Sequence, residues 1–210
     1  MRVLSHRGFW LEPGEKNTMQ AFRRSFEQGF GTETDIRDHA GRLVISHDMP
    51  TGAEPSLEDV LALMRETGCS GPLAVNIKAD GLQAEVARTL AAYTDIEYFV
   101  FDMSLPDTLG YARQRSPFYL RVSEYETVLP AIDGCSGIWL DAFVSRWYDA
   151  QRLAALLQKH PVCIVSDELH RRPHLPHWRF LLSSGLAAHP GLSLCTDHPD
   201  QAREFFQDAS

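Results

Sequence analysis

"PLAVNIKADGLQAEVARTLAAYTDIEYFVFDMSLPDTLGYARQRSPFYLRVS", residues 72–123, decides the fold. Three short runs rich in β-branched and aromatic residues, 72–78, 97–102 and 118–123, read as strands. Between them, 81–93 and 106–115 carry apolar residues at helical spacing. Strand, helix, strand, helix, strand predicts crossover connections, and those place the strands parallel and right-handed.

The same alternation extends outward. Upstream, 2–6 reads as a strand and 17–29 as a helix. Asn17 or Thr18 caps that helix, Ala21, Phe22, Ser25 and Phe26 form its inner face, and Gly29 stops it. A second strand spans 31–37, "HAGR" (39–42) turns the chain, and 43–47 extends again. Ser56 and Asp59 form a capping-box pattern at the head of a helix over 56–68. Downstream, a short helix is expected near 125–132, then a strand at 137–141 and a helix at 146–159. The next strand, 162–167, is followed by an irregular stretch in which 171–177 reads as a surface loop. A last strand, 192–197, precedes a helix over 199–207. Eight strand–helix units predict a closed (β/α)8 TIM barrel, an α/β fold with one domain over 1–210. The alternative is a doubly wound open sheet. It is weakened by the lack of a glycine-rich phosphate loop after the first strand.

The chain has 210 residues, 44% hydrophobic and 23% charged, which suits a globular domain with a substantial core. Its formal net charge of −8 disfavours nucleic acid and anionic membranes as partners. A phosphate-bearing ligand then requires a local positive centre. The four cysteines lack metal-ligand spacing, and Cys163 and Cys195 fall in apolar runs, as buried free thiols do. The first ten residues show no apolar signal-peptide core, and no run approaches a membrane span. Cytoplasmic location without stable membrane association is the expectation.

In a (β/α)8 barrel the site lies at the carboxyl ends of the strands. There the sequence places Ser5-His6-Arg7, Glu33 and Asp35, His47-Asp48, Asn76 and Lys78, Asp102, Arg121 and Ser123, Asp141, Ser166 and Glu168, and Asp197. Each has an ordinary reading, and helix capping or turn formation is preferred for Asp102 and Asp197. Glu33 and Asp35 stand two apart on one strand and therefore share a face. Such a pair repels unless a cation lies between, and hard oxygen donors point to Mg²⁺ or Ca²⁺. That ion would also attract a phosphate. His6 and His47 have the chemistry of a general base and a general acid.

"SHRG…NTMQAF…GTETDIRDHAGRLVISHD" resembles the glycerophosphodiester phosphodiesterase family. His6-Arg7-Gly8, Asn17-Thr18, Ala21-Phe22, Glu33-x-Asp35, Gly41 and His47-Asp48 match its motifs. "VNIK" (75–78) resembles its third-strand ExK element, and "CTDHPD" (195–200) its terminal TDxP element. The resemblance implies a TIM barrel that hydrolyses phosphodiesters with a divalent metal. By motif position His6 and His47 are its acid–base pair, Glu33 and Asp35 its metal ligands, and Arg7 and Lys78 its phosphate contacts.

Three departures stand out. The third acidic metal ligand is replaced by Asn76, whose amide oxygen can ligate but brings no charge; Asp80 and Asp102 are candidates to assist. The glutamate before Asn17 is replaced by Lys16, read as a solvated lysine. The insertion after His47-Asp48 that caps the site in the family is missing, so an open site is expected. It would suit a small-molecule or polymer-linked phosphodiester. Trp139 is expected to face inward, whereas Phe143 and Trp147 are expected to pack between strand and helix. The alternatives are a phosphate-ester-binding barrel with little turnover, and a phospholipase- or lyase-type relative acting on lipid headgroups. Oligomeric state is not encoded in any pattern of this sequence.

Overall fold

The computed structural model describes residues 1–207. Eight parallel strands run in the order β5-β4-β2-β1-β9-β8-β7-β6 around a barrel. They are β1 (Arg2–His6), β2 (Gly31–His39), β4 (Leu73–Ile77), β5 (Tyr98–Phe101), β6 (Tyr119–Val122), β7 (Gly137–Leu140), β8 (Val162–Val165) and β9 (Leu192–Thr196). The short β3 (Arg42–Ile45) turns back antiparallel on the overhanging end of β2, pairing Ile36 with Ile45. Between β5 and β6 the barrel closes by a single parallel bridge, Val100 to Phe118. Pro117 has no N–H to give that seam, but its carbonyl accepts from Val100 N at 3.0 Å.

Helices α1 (Met19–Glu27), α2 (Leu57–Thr67), α3 (Gln83–Ala91), α4 (Leu105–Gln114), α5 (Ala150–Leu157), α6 (His174–Ser183) and α7 (Pro199–Gln207) flank the sheet. Local chemistry sets their ends. Thr18 caps α1 by accepting from Ala21 N, and Ser56 with Asp59 closes the expected box on α2. Gly68 ends α2 in the left-handed region, where a Cβ is unfavourable.

Alternate residues of each strand point inward. Leu4, Ala74, Phe99, Phe101, Trp139 and Cys163 fill the interior as one apolar cluster. Phe101 stacks on Trp139 with centroids 3.9 Å apart, and Phe99 on Tyr119 at 3.7 Å. The floor is therefore apolar, and the polar inward residues collect at the carboxyl ends. The outer faces form two further cores against the helices, one around Phe22, Leu61 and Val86, the other around Ile138, Leu153 and Trp178. Cys163 and Cys195 are buried free thiols, as expected.

Two expectations are corrected. There is no helix at 125–132. Ser123 and Glu126 exchange two backbone hydrogen bonds in a tight turn. Val128 is 81% exposed, only Leu129 and Ile132 pack against the core, and Pro130 disfavours helical geometry just before it. Conversely, 171–177 is not simply a loop. Pro173 is the N-cap residue of α6, and Pro176 lies in its first turn, where no N–H bond is required. His177, Trp178 and Leu181 form the buried face. The prolines that suggested a loop instead start a helix.

Candidate active site at the barrel mouth

A cleft of about 480 Å³ opens at the carboxyl ends of the strands. Parallel register assembles it. His6 pairs with Glu33 across β1 and β2, and Asp35 pairs with Asn76 across β2 and β4. Glu33, Asp35 and Asn76 are all buried.

His6 Nδ1 lies 2.6 Å from Asp197 Oδ1, and its Nε2 lies 3.8 Å from Glu33 Oε2. Burial pushes the Asp197 carboxyl up, but the His6 hydrogen bond and charge, then Lys16, outweigh it and hold it below its usual value. Lys16 Nζ stands 3.6 Å from Asp197 Oδ2 and 4.4 Å over the Trp10 ring. Glu168 supports this corner by accepting from Asp197 N at 3.1 Å and from the Thr196 hydroxyl.

Glu33 accepts from Arg7 N at 3.2 Å and from Asn76 Nδ2 at 3.3 Å. Burial, then the charge of Asp35, pushes its pKa up to about 7 against the pull of His6, Arg7 and Lys78. Asp35 is held by three groups: Asn17 Nδ2 at 2.9 Å, Arg7 Nε at 2.9 Å and Lys78 Nζ at 3.4 Å. Lys78 continues to Asp102 at 3.5 Å, which also pairs with Arg121. Asp35 Oδ1 and Asn76 Oδ1 are buried and accept no hydrogen bond. Backbone strain gathers here as well. Arg7, Asn17, Asp102 and Arg171 all have positive φ, an arrangement that non-glycine residues adopt mainly where the surroundings enforce it.

Further round the rim, beyond β8 and β7, His170 Nε2 lies 2.6 Å from Asp141 Oδ1. His47 lies at the rim. Its Nδ1 is 2.9 Å from Asp48, and the two side chains are 47% and 93% exposed.

The structure thus brings His6, Arg7, Glu33, Asp35, Asn76 and Lys78 into one cluster and leaves His47 at its edge. Several expectations change. Lys16 is not a solvated lysine but lines the cleft. Asp102 and Asp197 are ion-pair partners rather than helix caps; Ser104 caps α4. Asp80 faces away from the cluster, accepting from Ser104 Oγ at 2.9 Å. Phe143 lines the cleft beside Trp139 instead of packing under a helix. Positive charge comes from the chain itself, through Arg7, Lys16, Lys78, Arg121 and Arg171. His170 was not singled out from the sequence. Its signal was its position, just beyond a barrel strand in "ELHRRPH". Among the described residues, no three His, Cys, Asp or Glu side chains form a metal cage.

Fold and site together define a (β/α)8 barrel with a histidine–carboxylate–cation cluster at its mouth. The barrel superposes on those of solved glycerophosphodiester phosphodiesterases. A glycerophosphodiester phosphodiesterase from Parabacteroides distasonis superposes with a TM-score of 0.71 at 14% identity, over 99% of this chain and 97% of that one. An Oleispira antarctica phosphodiesterase, in complex with the product sn-glycerol-3-phosphate, gives 0.69 at 15% identity over 99% and 97%. A calcium-dependent phosphoinositol-specific phospholipase C from Pseudomonas gives 0.60 at 12% identity over 92% and 87%. At these identities the likeness establishes the fold. No family model and no curated protein matches the chain. No helix among the described residues is long and apolar enough to cross a membrane.

Proposed function

We propose that the protein hydrolyses phosphodiesters of the glycerophosphodiester type at this cleft. The observation that carries the reading is His6. Asp197 fixes its Nδ1 at 2.6 Å, which leaves Nε2 toward the buried acids beside Arg7 and Lys78. A carboxylate-held imidazole next to two cations that can bind phosphate oxygens suits in-line displacement at phosphorus. In this reading His6 takes the nucleophile's proton, Arg7 and Lys78 hold the phosphate oxygens, and a second histidine, the place the sequence motif gives to His47, supplies the leaving alkoxide's proton. The nucleophile is water or a neighbouring hydroxyl of the substrate. The matching barrels of a phosphodiesterase with bound sn-glycerol-3-phosphate and of a phospholipase C support that substrate class.

The donor set fits a hard divalent cation, Mg²⁺ or Ca²⁺, held by Glu33, Asp35 and Asn76. Two buried oxygens there, Asp35 Oδ1 and Asn76 Oδ1, accept no hydrogen bond, although Lys78 Nζ stands 3.4 Å from the former, and ionised Glu33 and Asp35 repel each other. When bound, such an ion supplies Lewis-acid stabilisation of charge on the phosphate oxygens. With two carboxylates and one amide, the site holds less negative charge than a three-carboxylate site, and weak affinity follows.

A second reading, phosphate-ester binding with little turnover, is favoured by one observation. Arg7, Lys78 and Asn17 already occupy Asp35. The deciding experiment measures hydrolysis of bis(p-nitrophenyl) phosphate and a panel of glycerophosphodiesters with Mg²⁺, Ca²⁺ and Mn²⁺. Metal-dependent turnover that His6→Ala abolishes is the expected result. No turnover above the variant's level on any substrate leaves the binding reading.

A further inference from the structure

The cleft holds two histidine–aspartate pairs, one at the ends of β1 and β9 and one just beyond β7 and β8, and the proposed reaction uses only the first. Beside His6–Asp197, His170 Nε2 meets Asp141 Oδ1 at the same 2.6 Å. Asp141 directly follows β7, is buried, and is fixed by a hydrogen bond from Ala142 N at 2.7 Å. Its own carbonyl accepts from Trp147 Nε1 at 2.8 Å. His170 closes the short 3-10 turn after β8 and is steadied by the Phe143 ring, whose centroid lies 4.9 Å away.

The pair is not needed to tie its two loops together. Arg172 already does so, donating to Phe143 O at 2.7 Å, Ala142 O at 2.6 Å and Asp167 at 2.8 Å. An imidazole held by a buried carboxylate, and facing a reaction cleft, has its tautomer and orientation set for proton transfer. With Nε2 bound to Asp141, Nδ1 is the ring nitrogen left for a ligand. His47, by contrast, is half exposed and held only by an almost fully exposed Asp48.

We propose that His170, oriented by Asp141, is the general acid for the leaving group, in place of His47. The assignment rests on the phosphodiesterase reading above. In the step, the nucleophile's oxygen bonds to phosphorus as His6 Nε2 takes its proton. The phosphorus–oxygen bond to the leaving group breaks, and that oxygen receives a proton from His170. The enzyme then carries the proton on His6 and a neutral His170, and exchange with solvent restores both.

An acid is needed most where the departing oxygen is strongly basic. Steady-state turnover of wild type, His170→Gln, Asp141→Asn and His47→Gln is therefore compared on two substrates. A glycerophosphodiester releases a basic alkoxide, and bis(p-nitrophenyl) phosphate releases a weakly basic phenolate. His170→Gln is expected to lower the ratio of alkyl to nitrophenyl turnover by about 100-fold. Asp141→Asn is expected to lower it in the same sense, and His47→Gln by under about threefold, a small fraction of a general acid's contribution. A ratio unchanged in His170→Gln and Asp141→Asn overturns the assignment and leaves the phosphodiesterase reading intact. The larger ratio change falling on His47→Gln returns the acid role to His47. Absence of wild-type turnover on both substrates overturns both.

Discussion

His6 Nδ1 lies 2.6 Å from Asp197 Oδ1, and this contact joins the ends of the first and last barrel strands. It sets which nitrogen faces the cleft. If His6 transfers protons, its partner governs catalysis more than binding. Asp197→Asn is expected to lower kcat by roughly 10²-fold or more with little change in KM, because an amide can hold the wrong tautomer. Steady-state kinetics checks this, and an unchanged kcat removes Asp197 from the proton-transfer unit.

Asn76 stands beside Asp35 in register, with its amide oxygen buried and unpartnered. Replacing it by a carboxylate completes a three-acid set. Asn76→Glu is expected to tighten Mg²⁺ or Ca²⁺ binding at least about tenfold, or ~1.4 kcal/mol. Isothermal titration calorimetry on both proteins reads this directly. Equal affinities mean that position 76 does not ligate.

Glu33 makes metal-free stability depend on pH. Its pKa is raised from 4.5 to about 7 in the folded chain, chiefly by burial. The folded state therefore binds the proton more tightly than the unfolded one. That stabilisation is fully present below the unfolded value and is lost as pH rises through about 7. The change is on the order of 3 kcal/mol. With chelator present, Tm should fall between about pH 5 and about pH 8, and Glu33→Gln should flatten that slope. Equal slopes for the two proteins in a melting series contradict the burial of an ionisable Glu33.

Gly137 makes room for an aromatic at the barrel floor. A Cβ there would overlap the Tyr119 ring, which stacks on Phe99. Gly137→Ala is expected to destabilise the fold by about 1–3 kcal/mol, as overpacking does. Tyr119→Leu in the same background should recover part of that loss. Denaturant melts of the two single variants and the double variant give the coupling energy, and additive losses would place the strain elsewhere.

The pattern of residues determined the eight parallel strands and most of the helices between them, and therefore the barrel. It did so because strand and helix periods are local properties of the chain. It also determined that Glu33 and Asp35 share a face and that Ser56 and Asp59 cap a helix, since these are short-range relationships. Tertiary structure decided the rest. Asp197 became the partner of His6 because β9 lies beside β1, a closure between residues 191 positions apart. Lys16 turned inward because Asp197 and the Trp10 ring hold it there. Asp102 left its capping role because Lys78 and Arg121 converge on it across β4 to β6. His170 met Asp141 for the same reason: neighbouring strands deliver two loops to one wall of the cleft. Sequence spacing specifies which face a side chain occupies. Only barrel closure specifies which charged groups then face each other, and that pairing sets their orientation and protonation.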